Sequence, residues 1–428
     1  MYDLRIINGH CYINKTFIKT NIYVTSGRIA SINEALLPAH KTVDASHLHV
    51  LPGFIDPHVH LKLNVGEFTS ADDFETGSHL AALGGVTTLI DFLDPIYENK
   101  DLEGAFKKRK KEAEAISVDY AFHCTLGNYS DNVKTLEQKL DGLGITSVKV
   151  FTTYSSSNRQ CQYHVIKDLL NTNLLILAHA EDDDMIYSPE TIEDYEASRG
   201  PTAELSAVSK LLDLLKEASG RLYIVHVSSG NTLASIDKSL YDDRLYLESC
   251  PQYFTFTKDV FLKEQGPLYL LAPPFRGHDS IDLLKKNIKK VNSIGTDHCS
   301  FTYEEKMKYE VVDKIPKGIG SLGLSFQIMY SLFGKDIIPK FTSEPARIFN
   351  LSKKGKIKID YDADFAIIDF NQVTNPSHYK KNCDYDIYHD ILPMKVVKTI
   401  LRGEIIMADG EVWSGKGRYV GRTNESHH

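Results

Sequence analysis

Cysteine is scarce in this chain and never clustered. Six are spread singly through 428 residues, at positions 11, 124, 161, 250, 299 and 383, with no C-x-x-C pair. That spacing excludes a zinc knuckle and a disulfide framework, and it suits a reducing cytosol. Long apolar runs are missing too. No stretch approaches the ~18 consecutive apolar residues of a membrane span, and the opening MYDLRIING has no signal-peptide profile. Nor is there a cationic surplus: 49 Lys+Arg against 57 Asp+Glu leave a formal net charge of -8. A basic stripe for nucleic acid is therefore excluded, and KKRKK at 107–111 is expected to be the solvated face of a helix. No nucleic-acid partner and no membrane are therefore expected. The closing Ser-His-His reads as a tag remnant, so His427 and His428 are set aside.

What is present divides into three textures. Residues 1–51 give short β-rich runs (DLRIING, CYIN, TNIYVT, GRIASIN) broken by Gly and Asn turns. Residues 348–428 repeat that texture in ADFAIIDF, VVKTILRGEIIMADGEV and GRYVGR. Between them, over 52–347, apolar strand candidates alternate with helical segments. The candidates are 53–60, 85–92, 119–127, 147–154, 173–180, 221–228, 244–250 and 291–297. After the first, Ser70 and Asp73 fit a helix-opening capping box and Gly84-Gly85 a stop. Eight such units predict an α/β fold, a (β/α)8 TIM barrel, with a small β-sandwich side domain built from both chain ends.

The stretch FIDPHVHLKLN, 54–64, puts His58 and His60 on one face of a strand end, since i and i+2 point the same way. Alone, the pair is weak evidence for metal ligands, because histidine pairs that merely close a strand end are common. Position in the barrel adds weight, because sites in this fold lie at the C-terminal strand ends. The polar residues closing the strands are His58 and His60 on the first, Lys149 on the fourth, His179 on the fifth, His226 on the sixth and Asp297 on the eighth. Four imidazoles and a carboxylate converging on one mouth suit zinc or a similar divalent ion. His123 lies mid-strand and reads as structural. His298 should face away from its neighbour Asp297, and His47 and His49 precede the barrel. Lys149, inside apolar SVKVF, should have a depressed pKa. A neutral amine there could add carbon dioxide, giving an anionic carbamate able to bridge two metals.

In this order and spacing, LPGFIDPHVHL, TSADDFETGSHLAALGGVTTLIDF, GITSVKVFTTY, LAHAED, IVHVSS, GTDHCSF and PARIFNL resemble the cyclic amidohydrolases, in their hydantoinase/dihydropyrimidinase branch. The resemblance covers essentially the whole chain. It implies a cytoplasmic homodimer or homotetramer with two divalent metal ions per subunit, usually Zn2+. His58, His60, carboxylated Lys149 and Asp297 would serve one ion, and Lys149, His179 and His226 the other. It also implies Tyr154 as hydrogen-bond donor to the developing oxyanion and Asp297 as general base, then acid. Substrate contacts would come from backbone groups around Ala272 and Gly318. The expected substrate is a small cyclic ureide or amide, opened to an N-carbamoyl amino acid.

Departures from the branch pattern bear on the substrate. Dihydroorotases carry Arg after H-x-H, where this chain has Lys62; a lysine lacks the planar fork that grips a carboxylate. Ala272 in APPFR and Lys317 in IPKGIGSLG look more like allantoinases, whereas TTY and DHCSF point back to hydantoinases. The resulting order is hydantoinase/dihydropyrimidinase, allantoinase, dihydroorotase. A non-catalytic barrel homologue would have lost ligand positions, and all six are filled here. A mononuclear deaminase would lack the strand-four lysine.

Overall fold

Eight short parallel strands carry the middle of the chain in the computed structural model, which describes residues 1–379 and 381–424. They are β1 (Phe54–Val59), β2 (Val86–Phe92), β3 (Asp119–Thr125), β4 (Ser147–Phe151), β5 (Leu175–His179), β6 (Arg221–Ile224), β7 (Leu245–Ser249) and β8 (Ser293–Ile294). Each bonds to the next in sequence. Between β8 and β1 a parallel bridge joins Val59 to His298, and the Asp297 N–H donates to the His58 carbonyl at 2.9 Å. This is the expected (β/α)8 barrel, with every strand shorter than its apolar or polar run or equal to it at one end. The strands read as continuous apolar runs because both their faces are buried.

Period-2 alternation sets what faces the barrel axis. Ser147 and Lys149 share one side of β4, Leu177 and His179 one side of β5, and Tyr246 and Glu248 one side of β7. An apolar cluster including Ile55, Ile90, Leu175, Leu177, Tyr223 and Tyr246 takes in Ile348, Phe349 and Leu351 as well. The FNL segment is thus part of the barrel's filling.

The flanking segments meet in one nine-stranded sheet. Strands Tyr2–Ile13, Thr16–Thr25, Arg28–Asn33, Ala39–Asp44 and His49–Pro52 join Phe365–Thr374, Leu392–Leu401, Glu404–Ala408 and Glu411–Val412. The join is antiparallel, with Val50 opposite Ile367. Tyr2–Ile13 forks: through Ile7 it pairs with Ala39–Asp44, and at His10 and Cys11 with His49 and Val50. Its own apolar cluster draws on both chain ends, from Ile6, Ile22 and Val43 to Phe365, Val397 and Ile400.

Three local expectations are corrected. The capping box of helix Phe74–Leu83 is Asp73 with Thr76, while Ser70 instead donates its hydroxyl to the His60 carbonyl at 3.0 Å. The stop is as expected, at Gly84 and Gly85; at Gly85 φ is +84° and a Cβ would fall 2.8 Å from Ala366. KKRKK lies on helix Leu102–Glu112, but Arg109 is buried, bonded to Asp91 and to the carbonyls of Leu61 and Phe92. GRYVGR leaves the side sheet altogether. Tyr419 bridges Tyr120 in β3, and the Arg422 N–H donates to the Gly144 carbonyl at 2.8 Å. The residues set aside as a tag, His427 and His428, lie outside the described residues. Among those described, no helix is long and apolar enough to cross a membrane, and all six cysteines are free and buried.

Candidate metal centre

β1 delivers the first group. His58 Nε2 and His60 Nε2 lie 3.2 Å apart, and Asp297 Oδ1, from the loop after β8, is 3.1 Å from each. The Glu248 carboxylate on β7 stands 2.7 Å from His58 Nδ1. A neutral His58 that donates its Nδ1–H to this carboxylate would turn its Nε2 lone pair to the group, the carboxylate–imidazole arrangement common behind metal ligands. Burial opposes charge on His58, but Glu248 and Asp297 overcome it and lift its pKa to about 9, so the pocket favours a positive charge there. Burial pushes the Asp297 carboxyl up, and the surrounding imidazoles pull it well below its ordinary value.

The second group comes from β5 and the loop after β6. His179 Nδ1 faces His226 Nε2 at 3.0 Å, and His179 Nε2 lies 2.6 Å from Glu181 Oε2. The rings of His58 and His226, 5.5 Å apart between centroids, bring the two groups side by side. Burial lowers His60 and His179 and takes His226 well below its ordinary value. Lys149 stands between the Phe92 and Phe151 rings, 5.4 and 5.3 Å from their centroids. Burial brings its amine down to about 8 against the pull of Asp297 and Glu248.

The donor set fits divalent metal ions. Three candidate ligand atoms (two imidazole nitrogens and one carboxylate oxygen) meet within 3.2 Å of one another, a donor type and spacing that suit one divalent ion. Backbone strain accompanies them: φ is +37° at His226, +52° at Asp297 and +70° at Tyr154, none of them glycine. A second carboxylate group, Asp119, Asp362 and Asp364, could by spacing also hold an ion. The Lys354 ammonium already sits within 3.2 Å of all three, so that group is a buried ion cluster.

The other anticipated residues fall around this mouth or away from it. Tyr154 lies in the loop after β4, its ring 5.4 Å from that of His179 and its hydroxyl 3.2 Å from Arg199. Ala272 is half-buried beside a cis bond to Pro273. Gly318 donates its N–H to the Leu270 carbonyl at 2.9 Å and packs so closely that a Cβ would meet the Cys299 carbonyl at 2.4 Å. Lys317 spends its amine on the Val312 carbonyl, and Lys62 is exposed. His123 is structural, bonded to Ser147 and the Pro57 carbonyl; His298 binds Asp72 at 3.1 Å. His49 stacks on His10 in the side sheet.

Sequence reasoning missed the residues behind the candidate ligands: Glu248, Glu181, Arg199, and the Asp91–Arg109 pair. Glu248 had a signal, a carboxylate alternating with Tyr246 inside an apolar strand. Arg199 had none, because its partners lie 18 and 45 positions away.

Residues 49–406 match the profile of the Amidohydrolase family. The D-hydantoinase of Geobacillus stearothermophilus is 29% identical over 455 residues, covering 97% of this chain and 96% of the relative. That of Ralstonia pickettii is 28% identical over 437 residues, covering 95% and 96%. Among solved structures, dihydropyrimidinase from Brevibacillus agri superposes with a TM-score of 0.92 at 24% identity over 100% of both chains. L-Hydantoinase (dihydropyrimidinase) from Arthrobacter aurescens does so with a TM-score of 0.89 at 25% identity, over 99% of this chain and 100% of that one.

Proposed function

This chain belongs to the amidohydrolase family, and from that premise we propose that it is a metal-dependent cyclic amidase opening the ring amide of a hydantoin or dihydropyrimidine to an N-carbamoyl amino acid. The observation that carries the reading is the convergence of the two ligand groups, with Lys149 beside them, at one barrel mouth. His58, His60 and Asp297 would hold one ion and His179 and His226 the other, with Lys149 shared between them. Zinc suits this N/O donor set. A neutral Lys149 amine would bond to carbon dioxide, release one proton and become the anionic carbamate.

When bound, the ions lower the pKa of a water and polarise the substrate carbonyl. The chain's own residues do the rest. Tyr154 donates its hydroxyl hydrogen to the carbonyl oxygen as that oxygen gains charge. Asp297 accepts the proton of the attacking water and delivers it to the ring nitrogen as the C–N bond breaks. Backbone groups near Ala272 and Gly318 hold the ureide. In this reading residues 52–347 carry the chemistry, 1–51 and 348–428 form the side domain, and the enzyme works in the cytoplasm as a homodimer or homotetramer.

A substrate panel on zinc-loaded protein tests the reading: dihydrouracil, hydantoin, 5-substituted hydantoins, allantoin and dihydroorotate. Carbamoyl product from hydantoins or dihydrouracil is expected. Turnover of allantoin alone would move the protein to that branch, and turnover of none would sink the reading. Dihydroorotate should be the poorest, since exposed Lys62 offers no bidentate grip on its carboxylate.

A further inference from the structure

Arg199 occupies the junction between helix Tyr195–Ser198 and helix Pro201–Glu217. Its guanidinium is turned inward and serves two residues at once. Nε donates to Glu181 Oε1 at 3.1 Å and Nη2 to Glu181 Oε2, and the same Nη2 donates to the Tyr154 hydroxyl oxygen at 3.2 Å. Glu181 is fully buried and is also the carboxylate against His179 Nε2. The arginine itself is anchored from behind, because Arg276 donates to its carbonyl at 2.6 Å and to Ser228 at 3.1 Å.

A guanidinium has donors and no acceptor. Its bond to Tyr154 therefore occupies a lone pair of the phenol oxygen and forces the phenol hydrogen to point away from Arg199. The tyrosine ring lies 5.4 Å from that of His179, so the hydrogen that Arg199 turns away is carried by a residue of the site itself. On the other branch, Glu181, held by two bonds, is placed to accept an Nε2–H from His179, which favours the tautomer whose Nδ1 keeps its lone pair for a metal. We infer that Arg199 is a positioning residue that sets both the direction of the Tyr154 hydrogen and the ligand tautomer of His179. The inference rests on the roles proposed above for those two side chains.

The test compares wild type, Arg199→Gln, Tyr154→Phe and the double variant in zinc affinity by chelator competition, kcat, KM and Tm. Arg199→Gln should bind its weaker zinc ion 10- to 100-fold less tightly. Its kcat should fall about tenfold or more with KM nearly unchanged, and Tyr154→Phe should cost far less in this background than in wild type. A purely structural arginine would lower Tm alone. Unchanged zinc affinity, together with an equal cost of Tyr154→Phe in both backgrounds, would overturn the inference. Should Arg199→Gln not fold, Arg199→Lys serves, because one ammonium cannot reach both carboxylate oxygens and the phenol. Wild-type zinc affinity and activity in that variant would overturn it equally. A wild type inactive on every ring of the panel would sink the functional reading, and the zinc measurement would still decide this one: weaker binding supports it, unchanged binding defeats it.

Discussion

At the scale of single residues, Lys149 is costly to keep. An amine buried between two aromatic faces, with no ion pair among the described residues, gives up solvation that a surface lysine retains. The shared anionic ligand proposed above would account for that cost; a packing role would be better filled by methionine. Lys149→Ala should therefore lose one of two bound ions and nearly all turnover. Elemental analysis still finding two ions per chain would remove the shared-ligand role. Tyr154 makes a different prediction, since its ring packs but its hydroxyl is what chemistry would use. Tyr154→Phe should keep both ions and its melting temperature and lose about a hundredfold in kcat, the usual cost of one oxyanion donor. An unchanged kcat would take Tyr154 out of the mechanism.

At the scale of elements, the pair Arg109–Asp91 fixes where β1 ends. Arg109, on helix Leu102–Glu112, donates to the Leu61 carbonyl at 2.8 Å and to Asp91 Oδ1 at 2.7 Å, while Asp91 Oδ2 accepts the Leu61 N–H at 3.0 Å. The residue after His60 is thus clamped through both its backbone groups. Arg109→Met should cost about 3–5 kcal/mol in urea unfolding, because a fully buried carboxylate is left without its cation. A loss below about 1 kcal/mol, as for a surface ion pair, would refute the clamp. This pair also marks where sequence stops being legible. The eight strands and the His58, His60, Lys149, His179, His226 and Asp297 positions could be read, because period and strand-end chemistry are local. KKRKK reads as solvated because four of its members are lysines on a helix surface, and nothing nearby in sequence shows that the fifth meets Asp91 across 18 residues. The same limit hides GRYVGR, whose strand-like texture is real but whose partner, Tyr120, is some three hundred residues away.

At the scale of the whole molecule, one buried cluster joins parts of the chain that share no local sequence. Lys354 lies 2.8 Å from Asp119 at the start of β3, and 2.7 and 3.2 Å from Asp364 and Asp362 at the edge of the side sheet. Arg402 of the side sheet also bonds Asp119, and the Arg418 N–H of the tail donates to Asp119 at 3.0 Å. Burial pushes Asp119 up, but Lys354 and Arg402 outweigh it and hold that carboxyl below its ordinary value; burial wins at Asp364, which ends above it. Removing Lys354 takes the first of these counter-charges from Asp119 and leaves Asp364 further raised. In Lys354→Met the Asp119 and Asp364 carboxyls would have folded pKa values above the unfolded ~3.9. A carboxyl raised in this way binds more protons folded than unfolded, so stability falls as pH rises through that interval and returns on acidification. Urea unfolding at pH 7 should show Lys354→Met weaker than wild type by about 3–5 kcal/mol. At pH 5 the gap should narrow, because the variant regains stability as its carboxyls take up protons. A gap that stays constant or widens between pH 7 and pH 5 would mean that Lys354 holds the two parts together by packing of its stem, and not by neutralising the carboxylates they share.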